Sequence, residues 1–181
     1  MSKHTSDTFE ALNLVVLTVS DTRDESNDTS GQFLADKATT AGHTVIERCI
    51  EKDDVYQIRH HLSRWIASAD AQVVVITGGT GFTGRDSTPE AVKPLFDKEV
   101  EGFGELFRQL SYEEIGTSTV QSRALAGMAN GTLVFCLPGS TSACRTAWER
   151  IIEEQLDARQ KPCNFVAHLK AVSTEQCESR G

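Results

Sequence analysis

The chain has 181 residues, of which 39% are hydrophobic and 24% charged, with a formal net charge of −8 at pH 7. This balance fits one globular domain and excludes general disorder, while the acidic charge without any run of Lys and Arg argues against a nucleic acid partner. Five cysteines without a C-x-x-C pair, and no apolar stretch of the ~20 residues that span a bilayer, predict a cytoplasmic protein that does not enter a membrane.

Strands and helices alternate along the first part of the chain. Residues 14–19 (LVVLTV) form the continuous apolar run typical of a strand buried on both faces, and residues 32–41 predict a helix ended by Gly42. A second strand is predicted over residues 44–50. Residues 55–69 then predict a helix, because their apolar side chains recur at helical spacing.

The same alternation continues to the end of the domain. Residues 72–77 (QVVVIT) predict a strand, followed by a glycine-rich loop and helical sequence over residues 89–110. Residues 132–137 (TLVFCL) predict the last strand, and residues 141–155 the closing helix. His60 and His61 lie in the helix predicted over residues 55–69 and have no partner at metal-ligand spacing. We therefore expect them on a solvated face of that helix.

This order predicts a single doubly wound α/β domain. Strands joined through helices form right-handed crossovers, which give a mostly parallel sheet covered by helices on both faces, hence three layers. We assign the domain to residues 12–172, with a mobile tail over residues 1–11 and another over residues 173–181.

Small and polar residues mark the places where a ligand should bind, because open parallel sheets bind ligands at the carboxyl ends of their strands. Each predicted buried strand is followed by such residues, and these are Ser20, Asp21, the loop from Thr77 to Asp86, and the turn Pro138, Gly139 and Ser140. Ser140 also suits the first turn of the closing helix, where a cap and an anion site are both possible uses.

The glycine-rich loop is the strongest of these features. It opens with Thr77, Gly78, Gly79, Thr80 and Gly81, and glycines let the backbone approach a ligand closely and turn its N–H groups toward an anion. A tight strand-to-helix turn is the plainer alternative. The loop also contains a literal G-x-G-x-x-G string, but a dinucleotide-binding helix should begin inside that string, and a P-loop would need a following Gly-Lys-Ser/Thr.

Two acidic positions could hold a metal ion near this loop. Asp86 ends the loop, and a carboxylate beside bound phosphate is favourable only with a cation such as Mg²⁺ between them. Asp53 and Asp54 follow the second strand, and either could instead cap the next helix. Asp53 and Asp86 facing one cleft would make a metal site for nucleotidyl transfer. Ser122 and Arg123 are a second possible anion contact.

Together these segments resemble the MoaB/MogA family of molybdenum-cofactor biosynthesis proteins, most closely its bacterial MoaB branch. The resemblance covers residues 14–170 and is carried by LTVSD at 17–21, TGGTG at 77–81, RDSTPEA at 85–91, EGFGE at 101–105, Ser122-Arg123 and LPGS at 137–140.

The resemblance implies a trimer, or a hexamer in the MoaB branch. It also implies that molybdopterin attacks the α-phosphate of Mg-ATP to give adenylyl-molybdopterin and pyrophosphate. Asp53 and Asp86 would match the catalytic, metal-associated acids, and the glycine loop, Ser122-Arg123 and the PGS turn would line the pterin and nucleotide pocket. Two alternatives stay open: a pterin-binding or scaffold protein of the same pathway without catalysis, and, more remotely, an NAD-type oxidoreductase.

Overall fold

The computed structural model describes residues 6–172, which form one six-stranded sheet flanked by helices. The strands are β1 (Asn13–Val19), β2 (Thr44–Glu51), β3 (Val73–Thr77), β4 (Lys98–Glu99), β5 (Leu125–Ala129) and β6 (Thr132–Leu137). The helices are α1 (Thr29–Thr40), α2 (Val55–Ala67), α3 (Thr88–Val92), α4 (Glu101–Ile115), α5 (Thr141–Ala147) and α6 (Glu153–Gln155). A π-helical turn, Trp148–Ile152, joins α5 to α6, and short 3₁₀ segments lie at Lys93–Leu95, Gly116–Gln121 and Val166–His168.

The strand order is β2-β1-β3-β6-β5-β4, which confirms the doubly wound, mostly parallel sheet. Strands β2, β1, β3 and β6 run parallel, and β5 and β4 extend the sheet in antiparallel fashion. The chain passes from β1 to β2 on one side and then to β3 on the other. Strands β1 and β3 therefore border the switch point at which open α/β sheets bind ligands.

Two hydrophobic layers enclose the sheet, as expected for a strand buried on both faces. Leu14 and Val16 of β1 pack in one layer with α1, α4 and α5. Val15 and Leu17 point the other way, into a layer that contains buried side chains of α2 and α3. This alternation follows from the two-residue period of a strand and gives the three layers.

The antiparallel edge, β4 and β5, is not in the sequence-based prediction, and β4 interrupts the stretch predicted to be helical over residues 89–110. Packing explains the break: the ring of Phe96 occupies the space beside Gly127, where a Cβ would lie 2.2 Å from a ring atom. The turn from β5 to β6 consists of Asn130 (φ 47°) and Gly131 (φ 71°), the favoured residues of a tight hairpin.

Two helix boundaries differ from the predicted ones. Helix α1 begins at Thr29 instead of residue 32, because the side chain of Asp28 accepts a hydrogen bond from the backbone of Gly31. Helix α2 ends at Ala67, so Ala69 is exposed beyond it. Gly42 follows α1 with φ 94°, as predicted for a residue that ends a helix.

Part of the predicted N-terminal tail lies against the domain. The backbone N–H of Ser6 donates to the carbonyl of Ala158 at 2.8 Å, and the ring of Phe9 lies 5.2 Å from that of His43. Residues 1–5 and 173–181 of the two predicted tails lie outside the described residues. Between residues 6 and 172, no helix combines the length and apolar character required to cross a membrane.

Candidate functional site

A cleft of about 670 Å³ opens at the carboxyl ends of β1, β3 and β6. Most predicted site residues line it, namely Ser20, Thr77, Gly78, Gly79, Thr80, Gly81, Asp86, Ser122, Pro138, Gly139 and Ser140. Asp21, Asp53 and Arg123 are not in the lining, but each contacts a residue of the loops that form it. The structure thus brings the three predicted strand ends together.

The glycine loop passes unusually close to the end of β1. Gly78 has φ 103°, and its N–H donates to the carbonyl of Leu137 at 3.0 Å. A Cβ at Gly78 would lie 2.1 Å from the carbonyl oxygen of Val19. Only glycine fits this position, and the close approach leaves the loop backbone lining the cleft.

The helix caps distinguish the two neighbouring aspartates. Asp54 caps α2 by accepting hydrogen bonds from the backbones of Tyr56 and Gln57, both at 2.9 Å. Asp53 is not needed for that cap. Its Oδ1 instead accepts from the backbone N–H of Ser87 at 3.1 Å and from the Ser87 hydroxyl. Asp53 therefore joins the end of β2 to the glycine loop.

The electrostatic environment of Asp53 disfavours its negative charge. Burial raises the pKa of its carboxyl, and the neighbouring carboxylates of Asp86 and Asp21 raise it further, against the hydrogen bonds from Ser87. A divalent cation would relieve this concentration of negative charge. Carboxylate oxygens are the ligands that Mg²⁺ prefers.

Asp86 is fixed as an ionised carboxylate beside the cleft. Its Oδ2 accepts hydrogen bonds from the backbone N–H and the hydroxyl of Thr83, at 2.8 and 2.6 Å. The Thr83 hydroxyl is the main cause that lowers the pKa of Asp86. Asp86 and Asp53 could together hold a magnesium ion whose other ligands are water and substrate phosphates.

Asp21 is paired with Arg85 across the mouth of the site. Two guanidinium nitrogens of Arg85 donate to its carboxylate at 3.0 and 2.7 Å, and these hydrogen bonds lower the pKa of Asp21. Arg85 is exposed. An exposed ion pair contributes little to stability, so Arg85 can leave Asp21 to contact an incoming phosphate at little cost.

Arg123 supports the glycine loop from beneath instead of presenting a free cation. Its guanidinium donates to the carbonyl of Thr80 at 3.3 Å, to the carbonyl of Asp86 at 2.9 Å, and to the carboxylate of Glu90. The Cζ of Arg123 also lies 5.2 Å from the ring centre of Phe82. The anion contact predicted for Ser122-Arg123 is therefore available in the cleft only from Ser122.

The turn after β6 closes the other side of the cleft. The Thr77 hydroxyl donates to the carbonyl of Pro138 at 3.1 Å. Ser140 caps α5, its hydroxyl oxygen accepting a hydrogen bond from the backbone of Ala143 at 3.2 Å. The predicted capping role of Ser140 is confirmed, and the turn is fixed to the end of β3.

Sequence reasoning missed the cationic side chain that lines the cleft, Arg23. Its guanidinium donates to the carbonyl of Gly139 at 3.0 Å and lies 3.5 Å from the carboxylate of Asp28. Arg23 follows a strand end closely, so the position rule applied to Ser20 and Asp21 could have identified it. Other unpredicted lining residues come from α4 and the 3₁₀ segment after it, including Phe107, Ser111, Ile115, Ser118 and Gln121.

The G-x-G-x-x-G string does not have the context of a dinucleotide site. It follows β3, and α3 begins at Thr88, after the last glycine of the string. The N-cap position of α3 is Ser87. The Thr88 hydroxyl donates to the carbonyl of Gly78 at 2.9 Å.

His61 does not lie on a solvated helix face, contrary to the prediction. Its side chain is half-buried, with Nε2 3.2 Å from a carboxylate oxygen of Glu51. Its ring lies 5.5 Å from the ring of Trp65. Contacts across α2 and β2, which a single-helix pattern does not show, cause the difference.

Comparison with known proteins gives one consistent result. Residues 15–158 match the family model described as a probable molybdopterin binding domain. The chain is 62% identical over 162 residues to molybdenum cofactor biosynthesis protein B of Escherichia coli K12, covering 90% of this chain and 95% of that protein. A crystal structure of a molybdenum cofactor biosynthesis protein B superposes with a TM-score of 0.79 at 44% identity, covering 81% and 92% of the two chains. The tungsten cofactor synthesizing protein MoaB of Pyrococcus furiosus gives a TM-score of 0.72 at 42% identity, covering 80% and 92%.

Proposed function

Because this chain belongs to the MoaB family of molybdenum cofactor biosynthesis proteins and carries its molybdopterin-binding domain, we propose that it adenylylates molybdopterin with Mg-ATP. The observation that carries the proposal is a pair of carboxylates at the glycine loop, Asp53 beside Gly79 and Asp86 beside Gly81. Both are fixed by hydrogen bonds from that loop's end, at Ser87 and Thr83.

In the proposed reaction, an oxygen of the molybdopterin phosphate attacks the α-phosphorus of ATP, the bond from that phosphorus to the bridging oxygen breaks, and pyrophosphate leaves. The loop backbone from Gly79 to Gly81 would contact the phosphates, since these residues line the cleft and the N–H groups of such turns bind anions. Bound Mg²⁺ would neutralise phosphate charge, with Asp53 and Asp86 as its protein ligands. Arg123 would position the loop, and Arg23 would offer a positive charge within the cleft.

Release of pyrophosphate from a mixture of the purified protein, molybdopterin, ATP and magnesium tests the proposal. Asp86→Asn keeps the side-chain size but removes the charge, so we expect turnover to fall by at least about 100-fold, the usual scale for losing a group that stabilises transition-state charge. Asp36→Asn, at an exposed position of α1, is the matched control and should turn over normally.

If molybdopterin binds but no pyrophosphate is released, the proposal that this protein catalyses the reaction is wrong. It would leave the alternative, a pterin-binding or scaffold protein of the pathway. Full turnover by Asp86→Asn with an unchanged magnesium requirement would overturn the assignment of Asp86.

We further propose that the protein self-associates as a trimer or hexamer. Several large apolar side chains on α4 and the segment after it are exposed: Leu106, Tyr112, Ile115 and Val120. Such a patch is typical of an interaction surface. Light scattering after size-exclusion chromatography measures the mass, and a monomer would contradict this proposal.

A further inference from the structure

A second group of potential metal ligands lies away from the cleft, between β2 and α2. Glu47 and Cys49 are two residues apart on β2 and so point to the same side of the sheet, toward His61 on α2. A carboxylate oxygen of Glu47, the Sγ of Cys49 and a ring nitrogen of His61 lie within 4.8 Å of one another. No other set of three such groups occurs in residues 6–172.

His61 supplies an independent sign of a missing ligand. Its Nε2 lies 3.2 Å from Glu51, whereas its Nδ1 is buried and has no hydrogen-bond partner among the described residues. A buried nitrogen without a partner costs free energy. Metal-binding histidines typically use one nitrogen for the metal and donate the other N–H to a carboxylate, which is the arrangement of His61 with Glu51.

We propose that Glu47, Cys49 and the Nδ1 of His61 form a site for a divalent transition metal of the zinc class, with a fourth position left to water. A thiolate, an imidazole and a carboxylate suit zinc or cobalt and not magnesium. Bonds of about 2.0–2.3 Å to a tetrahedral ion would draw the three ligand atoms together by roughly 1 Å, within the range of side-chain rotation.

The surroundings of Glu47 are compatible with coordination. Its carboxylate accepts hydrogen bonds from Arg64 and, at 2.9 Å, from the indole N–H of Trp65. Each carboxylate oxygen has two lone pairs, so Glu47 can bind a metal while these donors orient it. Burial raises the pKa of the Cys49 thiol to about 11, so coordination would release its proton to solvent. Two anionic ligands would then balance the dication.

Titration of the metal-free protein with Co²⁺ tests the site, because a thiolate ligand gives a near-ultraviolet charge-transfer absorption that oxygen ligands at Asp53 and Asp86 cannot give. We expect one Co²⁺ per chain with this absorption, displaced by Zn²⁺. Cys49→Ser should abolish the absorption and His61→Gln should weaken binding at least tenfold. Glu51→Gln should weaken binding by about 10–100-fold through loss of ring orientation.

Cys163→Ser, which removes an exposed thiol elsewhere, is the matched control and should leave the titration unchanged. Circular dichroism verifies that each variant is folded. The proposal is overturned if no charge-transfer absorption appears, or if it persists in Cys49→Ser. Neither result depends on whether the protein adenylylates molybdopterin.

Discussion

The Oδ2 of Asp53 faces the backbone of Gly79 so closely that a Cβ at Gly79 would lie 2.5 Å from it. The same Cβ would lie 2.3 Å from the Thr88 hydroxyl oxygen, and Gly79 has φ 64°. A side chain at residue 79 would therefore displace the carboxylate of Asp53, the Thr88 hydroxyl or the loop.

The Gly79→Ala variant should therefore release much less pyrophosphate, because the new Cβ would displace Asp53 or the loop. The left-handed backbone adds about 1–2 kcal/mol of destabilisation for a residue with a Cβ. Gly84→Ala in the same loop is the control, because a Cβ there meets no atom within 4 Å. Equal activity of the two variants would show that the loop does not constrain Asp53.

Asp53→Asn should raise the stability of the protein at neutral pH while it reduces turnover. The folded-state pKa of Asp53 is raised, so its ionised form destabilises the fold at pH values above that pKa, and this cost disappears as the pH falls through it. Asn keeps an acceptor for Ser87. Thermal unfolding without magnesium should show a gain of a few degrees, about 2–4 °C per kcal/mol for a domain of this size.

That gain should shrink in acid, where Asp53 of the natural protein is protonated, and also when magnesium is added to the natural protein. A lower melting temperature for Asp53→Asn at pH 7 would contradict the expected electrostatic cost.

Asp28→Ala should destabilise the protein by about 3–5 kcal/mol, the usual cost of breaking a buried ion pair. The Asp28 carboxylate is fully buried and accepts from Arg48 at 2.9 Å and from the Thr18 hydroxyl at 2.8 Å. Burial alone would raise the pKa of Asp28, but these hydrogen bonds and the one from Gly31 outweigh it and lower the pKa. Urea unfolding measures the loss.

Because the pKa of Asp28 is lowered, its contribution to stability depends on pH in a predictable direction. The contribution of Asp28 is present above its unfolded-state pKa and is lost as the pH falls through its lower folded-state value. The difference between the natural protein and Asp28→Ala should therefore shrink below pH 3.8. Asp36→Ala, at an exposed position of the same helix, should change stability little at any pH.

Arg123→Ala should loosen the glycine loop and reduce activity more than stability. Without the guanidinium, the carbonyls of Thr80 and Asp86 lose their donor and Phe82 loses its stacking partner. Hydrogen exchange should accelerate over residues 80–86. Arg85→Ala, which removes an exposed ion pair, should leave exchange at residues 80–83 unchanged. Equal exchange in Arg123→Ala and the natural protein would rule out the supporting role.

Most of the parallel part of the fold could be predicted. A long apolar run such as QVVVIT is typical of a buried strand in a chain where strands and helices alternate. The antiparallel part could not be predicted from apolar periodicity. β4 has two residues, and β5 (LAGMA) has no two-residue alternation. The Asn130-Gly131 pair was the available signal for the hairpin. The break before β4 depends on Phe96 packing beside Gly127, a contact between residues distant in sequence.

The candidate site could also be predicted only in part. Strand-end position was enough to predict the glycine loop and the PGS turn in one cleft. Residue types alone could not decide between Asp53 and Asp54, because both suit a helix cap, and only the family resemblance favoured Asp53. The sequence also could not show that Arg123 donates to loop carbonyls. An arginine near a predicted anion site has the same sequence pattern whether it binds the anion or holds the loop.

The outermost strands also determine how copies of this protein can meet. β2 carries Glu47, Arg48 and Glu51, and β4 consists of Lys98 and Glu99 alone. Charged or very short border strands discourage another chain from adding itself to the sheet. Fibre-like growth by strand addition is therefore disfavoured at both borders. Orderly assembly should instead use helical faces, such as the one that exposes Leu106 and Tyr112 of α4.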